Sequence, residues 1–212
     1  MNKLIIVTAP SGAGKTTIVH HLLDKFDELA FSVSATNRAK RTHETESVDY
    51  YFFSTDDFKR LVTEGAFLEY EQVYENQFYG TLKLEIERLW SLGKCIIFDV
   101  DVKGATNIQK AYPTESLSIF IKPPSKEILF ERLKNRKTET PESLRKRIAR
   151  ATEELTFENK FNKVIVNDDL EKGANCPVFR LPVTRRMTSK NPYTITPRRT
   201  NSHHGKLILQ EL

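Results

Sequence analysis

Cysteine is scarce, with two in 212 residues. Cys95 sits in an apolar run and Cys176 in a polar tail, so the pair forms neither a disulfide framework nor a metal-binding spacing. A reducing cytoplasm is the expected setting. Long apolar runs are missing too. No stretch approaches the roughly 18 uninterrupted apolar residues of a membrane span, and Met1-Asn2-Lys3 leads straight into an apolar segment without a signal-peptide pattern. No membrane partner is expected. No internal repeat is visible, which excludes stacked-repeat architectures.

Most of the chain also lacks an excess of one charge. The net charge is +5, from 33 basic and 28 acidic residues. Seven of the basic and one of the acidic residues fall in 173–212, so residues 1–172 hold 26 and 27 and are nearly neutral. Nucleic acid is therefore not an expected partner of the body. Only the tail, through Arg185, Arg186, Arg198 and Arg199, would offer contacts to its phosphates. The tail interleaves prolines with basic and hydroxyl residues, shows no sustained apolar period, and is expected to be disordered.

What is present is a chain of one-domain size with 39% apolar residues. Strands alternate with helices, which predicts an α/β fold on a parallel sheet. Apolar runs predict strands at about 3–8, 94–100, 117–122 and 164–166, with a further extended segment at 31–34. Helical spacing predicts helices at about 15–27, 81–92 and 103–111, and a capping box at Ser54 to Asp57 opens another that ends near Gly65. Aromatic β-formers at 48–53 and two short strands in 67–79 make 34–81 a β-rich insert. Ser125 caps a helix through Arg136, and Thr140-Pro141 opens a second, giving a charged helical hairpin over 125–156.

The most informative run is Ala9-Pro10-Ser11-Gly12-Ala13-Gly14-Lys15-Thr16, between the apolar Leu4–Val7 and the helical Ile18–Leu23. Strand, glycine turn and helix in that order suit a phosphate-binding loop. Gly12 and Gly14 let backbone N–H groups turn inward, the helix N-terminus adds positive potential, Lys15 supplies a mobile cation and Thr16 a hydroxyl for Mg²⁺. The expected ligand is a nucleoside triphosphate. Ala9 stands where the first glycine of the pattern is usual.

Five separated blocks then resemble the guanylate kinases, among the nucleoside monophosphate kinases. They are the loop 9–17 ending in Thr17; Ser34 with Arg38 and Arg41; Tyr50 with Glu69 and Tyr79-Gly80-Thr81; Asp99-Val100-Asp101; and Val164-Ile165-Val166-Asn167-Asp168-Asp169. The resemblance covers about residues 3–172. It implies a P-loop core of 1–33, 82–124 and 157–172, a GMP-binding insert of 34–81 and a small helical lid of 125–156. It implies transfer of the ATP γ-phosphoryl group to GMP or dGMP by a monomer or homodimer, with Mg²⁺ held at Thr16 and, through water, at Asp99. The loop residues Ala9 to Thr17, with Asn167, match the ATP side. Ser34, Arg38, Arg41, Tyr50, Glu69, Tyr79, Thr81 and Asp101 match the GMP side, where Glu69 would accept the N1–H and N2–H donors of guanine and Asp101 would order the arginines. Lys15, Arg41, Arg136 and Arg147 match the cations around the transferred group. Past Glu171-Lys172 the resemblance stops, because Gly173, Pro177 and the basic run cannot build the family's closing helix.

Three other classes compete. A non-catalytic protein-binding module of the same fold would have lost Lys15, Thr16, Arg38 and Arg41. A P-loop kinase for another phosphorylated acceptor would not need Tyr50, Glu69 and Thr81. A nucleic-acid binder would work through the tail. Glu69 also has a plain alternative, a water-facing residue alternating with Glu71 along a strand.

Overall fold

A computed structural model describes residues 2–134 and 141–168. Arg136, Asp169 and the basic tail lie outside the described residues. The chain starts with β1 (Leu4–Thr8), buried along its whole length, and runs through the glycine turn into α1 (Lys15–Lys25). Five strands form a wholly parallel sheet in the order β2 (Leu29–Phe31), β7 (Cys95–Asp99), β1, β8 (Ser116–Lys122), β9 (Lys163–Val166). A central strand of such a sheet is covered on both faces, which is why Leu4-Ile5-Ile6-Val7 is uniformly apolar.

The two-residue period divides these side chains between two cores. Ile5, Val7, Ile97, Ile119 and Ile121 pack with Ile18, Val19 and Leu22 of α1. Leu4, Ile6, Ile96, Phe98 and Phe120 point the other way, onto α3 (Lys83–Ser91) and α4 (Val102–Ala111) through Ile86, Leu89, Val102 and Ile108. Because every strand runs in one direction, the ends of β1 and β7 emerge at the same edge. The turn after β1 and the carboxylates after β7 meet there.

A second sheet has the order β4 (Tyr50–Phe52), β3 (Ser34–Thr36), β6 (Gln77–Leu82), β5 (Phe67–Tyr74), with β5 and β6 antiparallel. Helix α2 (Thr55–Thr63) closes its core by placing Phe58 against Phe67 at 4.5 Å and Phe78 at 5.6 Å between ring centroids. Ser54 caps α2 by accepting the Asp57 N–H at 3.0 Å. A buried carboxylate ties α3 to the second sheet and to the link that enters it: Glu85 of α3 accepts from Tyr51 at 2.9 Å, from Arg88 at 2.8 and 2.9 Å and from the Val33 N–H at 3.4 Å.

Helices α5 (Lys126–Lys134) and α6 (Pro141–Leu155) pack through Leu129, Leu133 and Ala151. Two boundaries differ from those expected. The single extended segment at 31–34 is two strands in different sheets, divided after Phe31, with β2 on β7 and β3 on β6. Thr81 and Leu82 belong to β6 rather than to a helix, and Leu82 is the extended residue before α3. Among the described residues no helix is long and apolar enough to cross a membrane.

Candidate active site

The turn between β1 and α1 uses glycine where the backbone demands it. Gly12 has φ 90° and Gly14 φ 92°, conformations that side-chain-bearing residues rarely adopt. A Cβ on Gly14 would also collide with the Asn167 amide. Gly14 ends the turn as the residue before α1, and among the described residues no side chain caps this helix and its first turn carries no acidic residue. Its first N–H groups therefore suit an anion. Ala9, Pro10, Ser11, Gly12, Gly14, Lys15, Thr16 and Thr17 line a cavity of about 300 Å³ together with Asp99, Asp101, Arg147, Arg150 and Glu154. Ala13 is fully buried beneath them.

Asp99 reaches this loop because β7 lies beside β1 with Val7 opposite Asp99. Lys15 forms an ion pair with Asp99 and donates to the Val100 carbonyl at 2.9 Å. Thr16 donates from Oγ1 to Asp99 Oδ2 at 2.8 Å. Among the described residues no group of three or more His, Cys, Asp or Glu is placed to hold a metal. One hydroxyl beside one carboxylate nevertheless suits Mg²⁺, which keeps its waters and takes few protein ligands when it bridges substrate phosphates.

A second cavity of about 400 Å³ shares Ser11, Lys15, Asp99, Asp101 and Arg150 with the loop site and extends between the sheets to Ser34, Tyr50, Glu69 and Tyr79. Glu69 faces inward and is only 8% exposed, which removes the water-facing alternative, whereas Glu71 pairs with Lys103 at 3.1 Å. The cross-strand register puts Thr81 opposite Glu69, and its hydroxyl donates to Oε1 at 2.7 Å. Gly104 opens the space on the other side, since a Cβ there would come within 2.9 Å of Glu69 Oε2. Burial pushes the Glu69 carboxyl up to about 7; the Thr81 hydroxyl pulls it down, and Asp101 and Glu71 add to the rise.

Arg38 is held at the far wall. Its Nη atoms fork onto Glu44 at 2.7 and 3.0 Å, its Nε donates to the Tyr79 hydroxyl at 3.2 Å, and its guanidinium lies 5.4 Å from the Tyr50 ring centroid. The Arg38 fork, with the Arg41 N–H at 2.8 Å, holds the Glu44 carboxyl down near about 2. The Arg41 side chain is instead 64% exposed, its Nη1 4.0 Å from Glu44.

Asp101 caps α4 by accepting the Gly104 N–H at 2.8 Å and pairs with Arg150 at 3.0 Å, so its arginine is on α6, not Arg38 or Arg41. Asn167, after β9, donates from Nδ2 to the Ala13 carbonyl at 2.8 Å and clasps the loop from below. Three residues of the site escaped the sequence reading. Glu44 follows Arg41 by three places in a polar turn, and Arg150 and Glu154 stand four apart on a charged helix, a spacing common to solvent-facing pairs. In the structure Glu154 is buried and accepts the Ser11 N–H at 3.3 Å.

A positive-φ glycine turn after a buried parallel strand, with a lysine, a threonine and a neighbouring strand-end aspartate, defines a P-loop nucleotide-binding protein of α/β class. The family model described as guanylate kinase matches residues 1–176. A guanylate kinase of Bacteroides fragilis is 50% identical over 169 residues, covering 80% of this chain and 83% of that protein. One of Salinibacter ruber is 45% identical over 178 residues, covering 84% and 94%. The crystal structure of guanylate kinase from Anaplasma phagocytophilum matches with a TM-score of 0.69 at 28% identity, over 87% of each chain. The chain belongs to the guanylate kinase family.

Proposed function

We propose that this protein transfers the γ-phosphoryl group of ATP to the phosphate of GMP or dGMP, giving ADP and GDP or dGDP, in the cytoplasm. The observation that carries the reading is the buried Glu69, backed by Thr81, in a cavity that opens onto Lys15 and the phosphate loop. A carboxylate accepts the adjacent N1–H and N2–H of guanine together, whereas adenine presents an acceptor at N1. Polar mismatch of that kind discriminates by about 10⁴-fold or more.

The acceptor is already an anionic oxygen, so no side-chain nucleophile is needed. A GMP phosphate oxygen forms a bond to the γ-phosphorus as the bond to the β,γ-bridging oxygen breaks and ADP leaves. The barrier is repulsion between anions, and the protein lowers it by positioning and by opposing charge. The loop amides and Lys15 hold the ATP phosphates, Arg38 and Arg41 with Tyr50, Tyr79 and Ser34 hold that of GMP, and Arg136 and Arg147 approach the transferred group. Asn167 supports the loop on the ATP side. Thr16, and Asp99 through water, would hold Mg²⁺, whose charge offsets that of the phosphates.

In this reading residues 1–33, 82–124 and 157–172 form the core, 34–81 the GMP-binding insert and 125–156 the lid. Closure of both excludes water and prevents idle hydrolysis of ATP. Measuring ADP formation from ATP and Mg²⁺ with GMP, AMP, CMP and UMP in parallel tests the proposal. GMP should be used far faster than the rest, and no turnover with GMP by folded protein would refute it.

A further inference from the structure

Arg150 and Glu154 are charged side chains of the site that the proposed reaction leaves without a role. They sit one turn apart on α6, with Arg150 Nε donating to Glu154 Oε1 at 2.9 Å and Arg150 Nη2 donating to Asp101 Oδ2 at 3.0 Å. The other Glu154 oxygen accepts the Ser11 N–H at 3.3 Å. A continuous path thus runs from a loop amide through a carboxylate and a guanidinium to an aspartate of the second cavity. Arg150 lines both cavities.

An amide of a phosphate loop is a donor for an anionic oxygen. Here a carboxylate 9% exposed has taken it. A polyphosphate in the loop sets further negative charge against that carboxylate, and like charges in a water-poor site cannot both stay comfortably ionised. Moving Glu154 aside removes one acceptor of Arg150 while its ion pair with Asp101, at the shared cavity, stays in place.

We propose that Glu154 and Arg150 are positioning residues that couple the two nucleotide sites. Glu154 occupies the Ser11 amide while the loop is empty, and its displacement by the terminal phosphate of ATP turns Arg150 toward the acceptor, so that occupancy of the loop tightens GMP binding. This rests on the reading above that the two cavities take ATP and GMP.

The test is calorimetric titration of GMP into the full-length protein, with and without a saturating non-hydrolysable imido analogue of ATP and Mg²⁺. In the wild type the analogue tightens GMP binding by about 5-fold or more, within the usual range of coupling between sites. Glu154→Gln keeps the shape but removes the charge. Its empty form binds GMP as tightly as the loaded wild type, and its coupling factor falls to within about 2-fold of unity. Arg150→Gln abolishes the coupling from the other end and decides the matter should Glu154→Gln fail to fold. A role confined to packing α6 would lower thermal stability without moving the coupling factor. Equal coupling in wild type and variants, or none in the wild type, overturns the inference while GMP binding stands. Failure of the wild type to bind GMP at all overturns the functional reading and the coupling with it.

Discussion

With Glu69 as the base-recognising carboxylate proposed above, GMP binding should be a proton-linked event. Burial lifts its carboxyl from 4.5 to about 7 in the empty protein, a difference of about 3 kcal/mol between its two protonation states. The sign follows from the direction. The folded value exceeds the unfolded one, so the contribution to stability is fully present below about 4.5 and is lost as pH rises through about 7. Guanine's two donors require the ionised form, so binding must expel the proton. If only ionised Glu69 accepts the base, affinity falls about 100-fold between pH 8 and pH 5, and near pH 6.5 each GMP releases about three quarters of a proton.

The second phosphate ionisation of GMP, near about 6, titrates in the same window. The comparison with Glu69→Gln, which cannot ionise, removes that shared contribution. Titration calorimetry in buffers of different ionisation enthalpy reads the proton count directly. Parallel pH profiles for wild type and Glu69→Gln, or proton uptake on binding, would refute the assignment of Glu69 to the base.

Further outcomes follow from the same geometry. Lys15→Ala should lower kcat by about 10³-fold or more in a coupled ADP assay while circular dichroism stays native, because in the proposed mechanism the lysine's charge acts on the transferring group. Arg41→Ala, which removes an exposed side chain, should leave thermal stability within about 0.5 kcal/mol and still abolish most turnover. Gly14→Ala places a side chain at positive φ and against Asn167, and should destabilise by about 1–3 kcal/mol, seen as a drop in Tm together with loss of ATP binding. Tyr51→Phe leaves buried Glu85 without one donor; it should cost about 1–3 kcal/mol in urea unfolding with little change in kcat.

Local order was legible in the sequence wherever one segment carried its own signal. The run from Leu4 to Thr16 holds strand, turn and helix start in contiguous residues, and Ser54 to Asp57 spells its cap within one turn. The boundary at Thr81 misled because Leu82, Ile86 and Leu89 continue a helical period, whereas the cross-strand pairing of Thr81 with Glu69 outweighs it and is invisible along the chain. The 31–34 segment misled for a related reason, since its two ends find partners in different sheets. Arg150 and Glu154 were unreadable because what makes them more than a helix-surface pair lies 49 and 143 positions away, at Asp101 and Ser11.

The clasp from Asn167 to Ala13 spans 154 positions. The ribosome therefore finishes the phosphate loop early but delivers the side chain that braces it 154 residues later. At about 5–20 residues per second the nascent loop waits roughly 8–30 s for that brace. A growing chain can lay down its first strand and glycine turn long before the turn acquires the strut that holds it, so the braced form of the loop is a late product of synthesis.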